Sequence, residues 1–213
     1  MSKTNITAKA TPYLVPAEPL VFETEVLRSR FICAIARCNS AESAKAFIDS
    51  KRQQFPDASH NCYAFMHSRP EISTAYGFSD DGEPTGCAGK PMLAVLQGSD
   101  IGEICAVVTR YFGGTKLGTG GMQRAYANAV RQAINVLATE LVTPRDTVTL
   151  QCDYGQLKDI EHVVAAFDGE ILSKDYGVDI SLSVAIPIPA IDAYCQRIVE
   201  ITAGRVIPNN PLL

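Results

Sequence analysis

The sequence predicts an α+β protein of two domains, residues 1–138 and 139–213. Apolar residues recur at both helical and strand spacing along the chain, which indicates that helices and strands share each domain. Residues 139–146 interrupt these patterns and contain Pro144, so we expect them to form the linker. The charge also changes at this point, because residues 1–144 carry a net charge of +1 and residues 145–213 one of −5.

The first domain is predicted to begin after a polar lead-in, residues 1–19. Asn39 and Glu42 have the spacing of a capping box, which predicts that a helix starts there. The spacing of apolar residues predicts a core strand at 21–36, a helix to about residue 54, and a hairpin of 61–67 and 73–78. A turn at 79–84, a helix at 89–96, a strand at 104–109 and a helix at 122–137 are predicted to follow.

The second domain shows a cleaner alternation of apolar and polar residues. The patterns predict a strand at 148–152, a helix at 157–167, a hairpin of 171–176 and 178–186 around Gly177, a helix at 191–198 and a last strand at 205–207. The order βαββαβ is that of a ferredoxin-like domain.

Composition excludes several classes of protein. No apolar run reaches the roughly 18–20 residues that cross a bilayer. The N-terminus has no apolar signal-peptide core, so a cytoplasmic location is expected. Seven cysteines are scattered without a CxxC pair, and there is no HExxH motif, so we expect free thiols and neither a metal site nor a cofactor.

The richest stretch for binding is a glycine-rich loop followed by a helix. The overall charge of −4 argues mildly against a nucleic-acid binder, yet residues 104–139 contain no acidic residue. Glycines leave the backbone accessible, and a helix that starts after them offers free N–H groups to an anion. The loop contains Gly113, Gly114, Lys116, Gly118, Gly120 and Gly121, and one helix face carries Arg124, Asn128, Arg131 and Asn135.

This stretch predicts a surface for phosphates of RNA or of a small ligand. The alternative is that the glycines only form turns and that the basic residues only solvate the helix. The glycine spacing matches neither GxGxxG nor GxxxxGK[ST], so no nucleotide fingerprint is present.

Several other side chains are candidates for catalysis or metal binding. Asp80, Asp81 and Glu83 could hold a divalent cation or act as acid and base, although a solvated turn is favoured because no further ligand completes the shell. Cys62 and Cys87 are candidate nucleophiles, but a buried inert thiol is favoured for both. His60 and His67 fall on opposite faces of one strand, which argues against a shared metal site.

Four motifs occur in order and resemble those of the IMPACT/YigZ family, in its bacterial two-domain form. They are residues 28–32, residues 57–64, residues 79–91, and residues 108–126 with the run Tyr111-Phe-Gly-Gly-Thr-Lys. Two positions depart from the family pattern: Cys87 stands where Ser or Thr is usual, and Met122-Gln123 replaces a Leu-Val type of pair. A role for a hydroxyl at position 87 is therefore not expected.

The resemblance implies a first domain of the ribosomal protein S5 domain 2-like type, an α/β layer fold. It also implies that the second, ferredoxin-like domain is similar to a domain of elongation factor G. Eukaryotic relatives regulate translation by binding a co-activator of the starvation-responsive eIF2α kinase. The family's candidate binding surface falls on these residues: Arg110, Tyr111, Gly113, Gly114, Lys116, Gly118, Gly120, Gly121 and Arg124.

Together these observations predict a noncatalytic, translation-linked binding protein. Its expected partners are RNA, the ribosome or a translation-associated protein, contacted through the loop and the helix face that includes Asn128 and Arg131. The alternative is an enzyme that binds a nucleotide or a phosphorylated small molecule on the same loop, with Asp80, Asp81 and Glu83 as its carboxylates.

Overall fold

The computed structural model describes residues 11–70 and 75–209, which form two compact units. The first unit is Tyr13–Val142, and the second contains residues 143–209. The protein is therefore a mixed α/β protein of two units. The elements of the first unit are β1 (Tyr13–Pro16), β2 (Leu20–Val26), β3 (Ser29–Arg37), α1 (Ala41–Gln54), β4 (His60–Met66), β5 (Tyr76–Ser79), α2 (Gly89–Gln97), β6 (Ile104–Tyr111), α3 (Gly118–Asn135) and β7 (Thr139–Val142).

A five-stranded antiparallel sheet organises the first unit, with the strand order β2-β3-β6-β4-β5. One face of the sheet carries α2 and α3, whose buried side chains include Met92 and Tyr126. The opposite face carries α1, which packs Ala44 and Ile48 on β6. Because both faces are covered, β6 is buried along almost its whole length, and this explains its continuous apolar sequence.

The stretch 21–36, expected as one strand, is a hairpin of β2 and β3. Leu27 and Arg28 form the turn with φ angles of 47° and 64°. Positive φ values at both central residues are those of a type I′ turn, which Asn-Gly adopts most easily. A Leu-Arg pair does not signal such a turn, and so the hairpin was missed.

Two predicted helix starts are corrected by the structure. The N-cap of α1 is Ser40, not Asn39, and its hydroxyl and that of Ser43 each accept a backbone N–H of the other at 3.1 Å. Helix α3 begins at Gly118, four residues before the predicted start at Met122. Part of the expected loop is therefore the first turn of the helix.

The ends of the first unit also differ from expectation. Residues 11–16 were expected in a loose lead-in, yet Tyr13–Pro16 is a strand that pairs with Thr139–Val142. The first half of the expected linker thus belongs to this unit. The rest of the lead-in up to residue 10, and residues 73–74 of the predicted hairpin, lie outside the described residues. The hairpin itself is confirmed by the pairing of β4 with β5.

The second unit contains β8 (Arg145–Cys152), α4 (Leu157–Ala166), β9 (Glu170–Tyr176), β10 (Ile180–Pro187) and α5 (Ile191–Ile201). The strands form an antiparallel sheet of order β8-β10-β9, and α4 and α5 share its core. Val178 was expected in the second strand of the hairpin but lies in the turn, 98% exposed. The last strand predicted at 205–207 is absent from the described structure, where a single bridge joins Asn209 to Thr149 of β8.

Within the described residues, the helices are either too short or too polar to cross a membrane.

Candidate functional site

A buried ion pair lies at the junction of β6 and α3. The Arg110 guanidinium donates to the Glu83 carboxylate at 2.5 Å, and both side chains are less than a tenth exposed. The Tyr126 hydroxyl donates to the same oxygen, Oε1, at 2.8 Å. The guanidinium also lies over the rings of Phe31 and Phe112, at 5.5 and 5.7 Å from their centroids.

This arrangement corrects the prediction for Arg110. Its charge is compensated inside the protein by Glu83, so it is not available on the surface to bind an anion. Burial, followed by the neighbouring Cys62 and Glu83, raises the pKa of Tyr126 far above its usual range. Tyr126 therefore remains protonated and donates to Glu83. The three side chains join the 79–86 turn to β6 and α3.

The other two carboxylates of the turn are also engaged within the protein. Asp80 accepts the backbone N–H groups of Gly86, Ala88 and Gly89 at 2.8–2.9 Å, which fixes the start of α2. Burial of Asp80 raises its pKa, but the three hydrogen bonds outweigh burial and leave the pKa below its ordinary value.

Asp81 has a separate set of partners. One oxygen accepts the backbone N–H of Asn61 at 2.7 Å, and the other pairs with Arg52 at 2.8 Å. The carboxylates of Asp80, Asp81 and Glu83 thus serve three different contacts. No group of three or more potential metal ligands occurs among the described residues.

The candidate thiols are buried. The Cys62 thiol donates to the Asp80 carbonyl at 3.0 Å, and burial raises the pKa of this thiol to about 12. Cys87 is buried next to the start of α2. A nucleophilic cysteine needs an accessible thiolate, and Cys62 does not provide one.

A groove of about 1090 Å³ runs between α2, α3 and the β2–β3 turn, entirely within the first unit. Its polar wall comes from α3 and contains Gln123, Arg124, Asn128, Arg131 and Asn135. Four of these five residues are the helix face that the sequence analysis singled out. Its apolar wall contains Leu27 of the β2–β3 turn and Pro91, Ala94 and Val95 of α2, and Leu117 and Ile134 add apolar lining from the α3 side.

The two arginines of the groove, Arg124 and Arg131, are exposed and form no salt bridge with the described residues. Five other surface arginines pair with carboxylates, namely Arg30, Arg37, Arg52, Arg145 and Arg197, whereas the exposed Arg28 and Arg205 form no salt bridge with the described residues. Among residues 11–70 and 75–209, no carboxylate lines the groove. The groove is therefore positively charged without internal compensation.

The glycines of the loop separate into three groups. A Cβ at Gly113 would lie 2.1 Å from the Arg28 carbonyl carbon, so Gly113 is needed for close approach of β3. Gly114 and Gly118 have φ angles of 86° and 68° and face open space. Gly120 and Gly121 lie in the first turn of α3, and Gly121 lines the groove.

Two further predicted residues, Lys116 and Tyr111, do not line the groove. Lys116 is exposed and has no salt-bridge partner among the described residues. The Tyr111 hydroxyl donates to Asp57 at 3.0 Å, and its ring lies 5.6 Å from the Arg30 guanidinium. Tyr111 is therefore held by contacts at the end of β6.

The apolar wall of the groove was not predicted from the sequence. Ala94 and Val95 were assigned to a helix without a surface role, and Leu27 was placed inside a strand. Which apolar helix residues face outward depends on how α2 packs against the sheet. A single short helix of mostly apolar residues gives little indication of that direction.

Comparison with known proteins identifies relatives of both units. The family model described as the Impact N-terminal domain matches residues 27–134, and a domain of unknown function (DUF1949) matches residues 150–205. An IMPACT family member from Escherichia coli, YigZ, is 45% identical and is matched over 90% of this chain and 94% of its own. One from Haemophilus influenzae is 44% identical, over 92% and 95% of the two chains.

A solved structure also matches this chain. It is described as the crystal structure of a hypothetical protein, and it superimposes with a TM-score of 0.76 at 44% sequence identity. The match covers 92% of this chain and 96% of the solved one.

Proposed function

Because the chain belongs to the IMPACT family, we propose that it is a noncatalytic regulatory protein of translation that binds an anionic partner through α3. The partner is RNA, the ribosome or a translation-associated protein. The observation that carries the proposal is the pair Arg124 and Arg131, exposed in a groove to which the described part of the chain contributes no carboxylate. Lys116 extends the same positive surface toward the loop.

Uncompensated surface cations of one sign raise the local concentration of anions and steer them into contact. Gly118, Gly120 and Gly121 lie at the start of α3, where free N–H groups and the helix dipole add to the same field. The basic side chains and the helix terminus therefore favour the same class of ligand.

The engagement of the carboxylates supports the noncatalytic part of the proposal. A general acid or base has to reach a substrate. Asp80 fixes the start of α2, Asp81 holds Arg52 and Asn61, and Glu83 is buried against Arg110. None of the three points into the groove, since none belongs to its lining.

We also infer the finer fold classes. The five-stranded sheet with helices on both faces is compatible with a ribosomal protein S5 domain 2-like unit. The βαββα order of the second unit, with its bridge at Asn209 beside β8, supports a ferredoxin-like unit whose last strand is reduced to one bridge. The domain boundary is proposed to lie at residues 142–143.

The test is binding of the full chain to purified ribosomes and to tRNA, measured by co-sedimentation and filter binding. Charge reversal in the Lys116→Glu/Arg124→Glu variant is expected to abolish binding, while Lys45→Glu, on α1 at the opposite face of the sheet, retains it. Binding that is unchanged in the double variant, or lost equally in the control, would contradict the proposal.

A further inference from the structure

The groove between α2 and α3 has two chemically different walls. One wall carries the guanidinium groups of Arg124 and Arg131, and the other is built from apolar side chains such as Ala94 and Val95. A ligand that fills the groove must therefore place negative charge against α3 and apolar atoms against α2. Phosphate alone would leave the apolar wall without a partner.

None of the described residues that line the groove is aromatic. Single-stranded nucleic acids are bound without sequence preference largely by stacking of bases on aromatic rings. Double-stranded RNA is contacted over about 16 base pairs. Two arginines separated by two helical turns, about 10.5 Å, match neither requirement. The groove is therefore poorly suited to RNA on its own.

We propose that the groove binds an acidic amphipathic helix of a protein partner, an inference that rests on the proposed function and names its partner class. An amphipathic helix offers apolar residues along one stripe and carboxylates beside it, and such helices bind in grooves between helices. Carboxylates at positions i and i+7 repeat the spacing of Arg124 and Arg131, because both helices rise by the same amount per residue.

The size of the groove agrees with such a helix. A helix about 10 Å wide with a pitch of 5.4 Å occupies roughly 420 Å³ per turn. The groove of about 1090 Å³ thus accommodates two to three turns, and two turns separate the arginines. Asn128 and Asn135, one turn beyond each arginine, add amide donors for the same carboxylates.

The probes are two blocked, fluorescein-labelled helical peptides of 14 residues and one tRNA. Both peptides have the same composition and leucine stripe, but one carries its two glutamates seven residues apart and the other carries them four apart. Anisotropy of each probe is measured with the full-length protein. The peptide with the seven-residue spacing is expected to bind about two- to fivefold more tightly than the other, because the four-residue spacing allows only one of the two ion pairs.

Three variants identify the walls. Arg124→Gln and Arg131→Gln should each weaken the matched peptide about two- to fivefold, the range of exposed ion pairs, and Lys45→Gln should not. Ala94→Gln adds an uncharged polar group to the apolar wall, so it should weaken the peptide and leave tRNA binding unchanged.

Each remaining result decides between the two proposals. Equal affinity of the two peptides, or peptide binding that Ala94→Gln does not affect, would overturn the amphipathic-helix proposal. If tRNA binding then still depends on Arg124 and Arg131, the anion-binding function stands without it. If neither probe depends on these arginines, both proposals are wrong.

Discussion

Replacing Glu83 by Gln tests whether the buried ion pair is a main support of the first unit. Glu83 is the carboxylate that faces Arg110, and both are buried. The Nε atom of Arg110 is buried without a hydrogen-bond partner, so the guanidinium has little further compensation. Glu83→Gln keeps the shape of the side chain but leaves this positive charge buried alone.

Removal of one member of a buried ion pair lowers the free energy of unfolding by about 3–5 kcal/mol. Because Gln still offers an oxygen to Arg110 and Tyr126, we take the lower end, about 3 kcal/mol. Such a loss is a large part of the roughly 5–15 kcal/mol that stabilises a typical domain. It corresponds to a roughly 100-fold larger equilibrium constant for opening, since each 1.4 kcal/mol is a factor of ten.

Hydrogen exchange followed by mass spectrometry measures this effect separately in each unit. Peptides from β6 and α3 should exchange roughly 100-fold faster in Glu83→Gln. Peptides from β8 and β10, in the other unit, are the internal reference and should not change. Tyr126→Phe removes one hydrogen bond to the charged Glu83 carboxylate and should lower the free energy of unfolding by about 1.5–3 kcal/mol.

The double variant Glu83→Gln/Arg110→Met supplies the control. It removes the uncompensated charge, so it should recover part of the stability that Glu83→Gln loses. The reasoning would be refuted if hydrogen exchange in β6 changed less than about threefold in Glu83→Gln. It would also be refuted if the stability lost by the double variant equalled the sum of the losses of Glu83→Gln and Arg110→Met.

Three further predictions concern the same unit. Asp80→Asn should lower the free energy of unfolding by about 1 kcal/mol, as loss of a helix cap does. Because the pKa of Asp80 is lower in the folded state than in the unfolded state, the stabilisation by its carboxylate is complete above the unfolded-state pKa and is lost as the pH falls through the folded-state pKa. The urea midpoints of wild type and variant should therefore converge in acid. Gly113→Ala should destabilise more than Gly114→Ala in thermal unfolding, because a Cβ at Gly113 would collide with backbone atoms whereas one at Gly114 meets open space and costs only the strain of its positive φ, about 1–2 kcal/mol, and equal losses would contradict this. Cys62 should react with iodoacetamide only after unfolding, and fast labelling of the native protein by peptide mass would show the burial to be wrong.

Periodicity predicted the parts of the fold that are set by local pattern. The helices α1, α2 and α4 and the strands β4, β6 and β8 follow from apolar spacing, and the structure confirms them. The β2–β3 turn could not be predicted, because Leu27 and Arg28 adopt positive φ values only in the context of the sheet. The pairing of β1 with β7 joins residues more than a hundred positions apart, which no local pattern reveals.

The candidate site divides in the same way. The stripe of Arg124, Asn128, Arg131 and Asn135 was predictable, because helical spacing alone puts these residues on one face. The burial of Arg110 was not, because it depends on Glu83, 27 residues earlier in the chain, and on Tyr126 of α3. Long-range pairing of charges decides which cations remain free to bind a ligand.

The most direct test of the anion-binding surface is the salt dependence of ribosome binding. The logarithm of the affinity is plotted against the logarithm of the salt concentration for wild type and for Arg124→Gln/Arg131→Gln. If the two arginines neutralise anionic groups of the partner, the slope of the double variant should be shallower by about 1.4–1.8, the effect of two lost phosphate-type contacts. Parallel lines with the wild-type slope would show that these arginines do not contact the partner, and would contradict the proposed function.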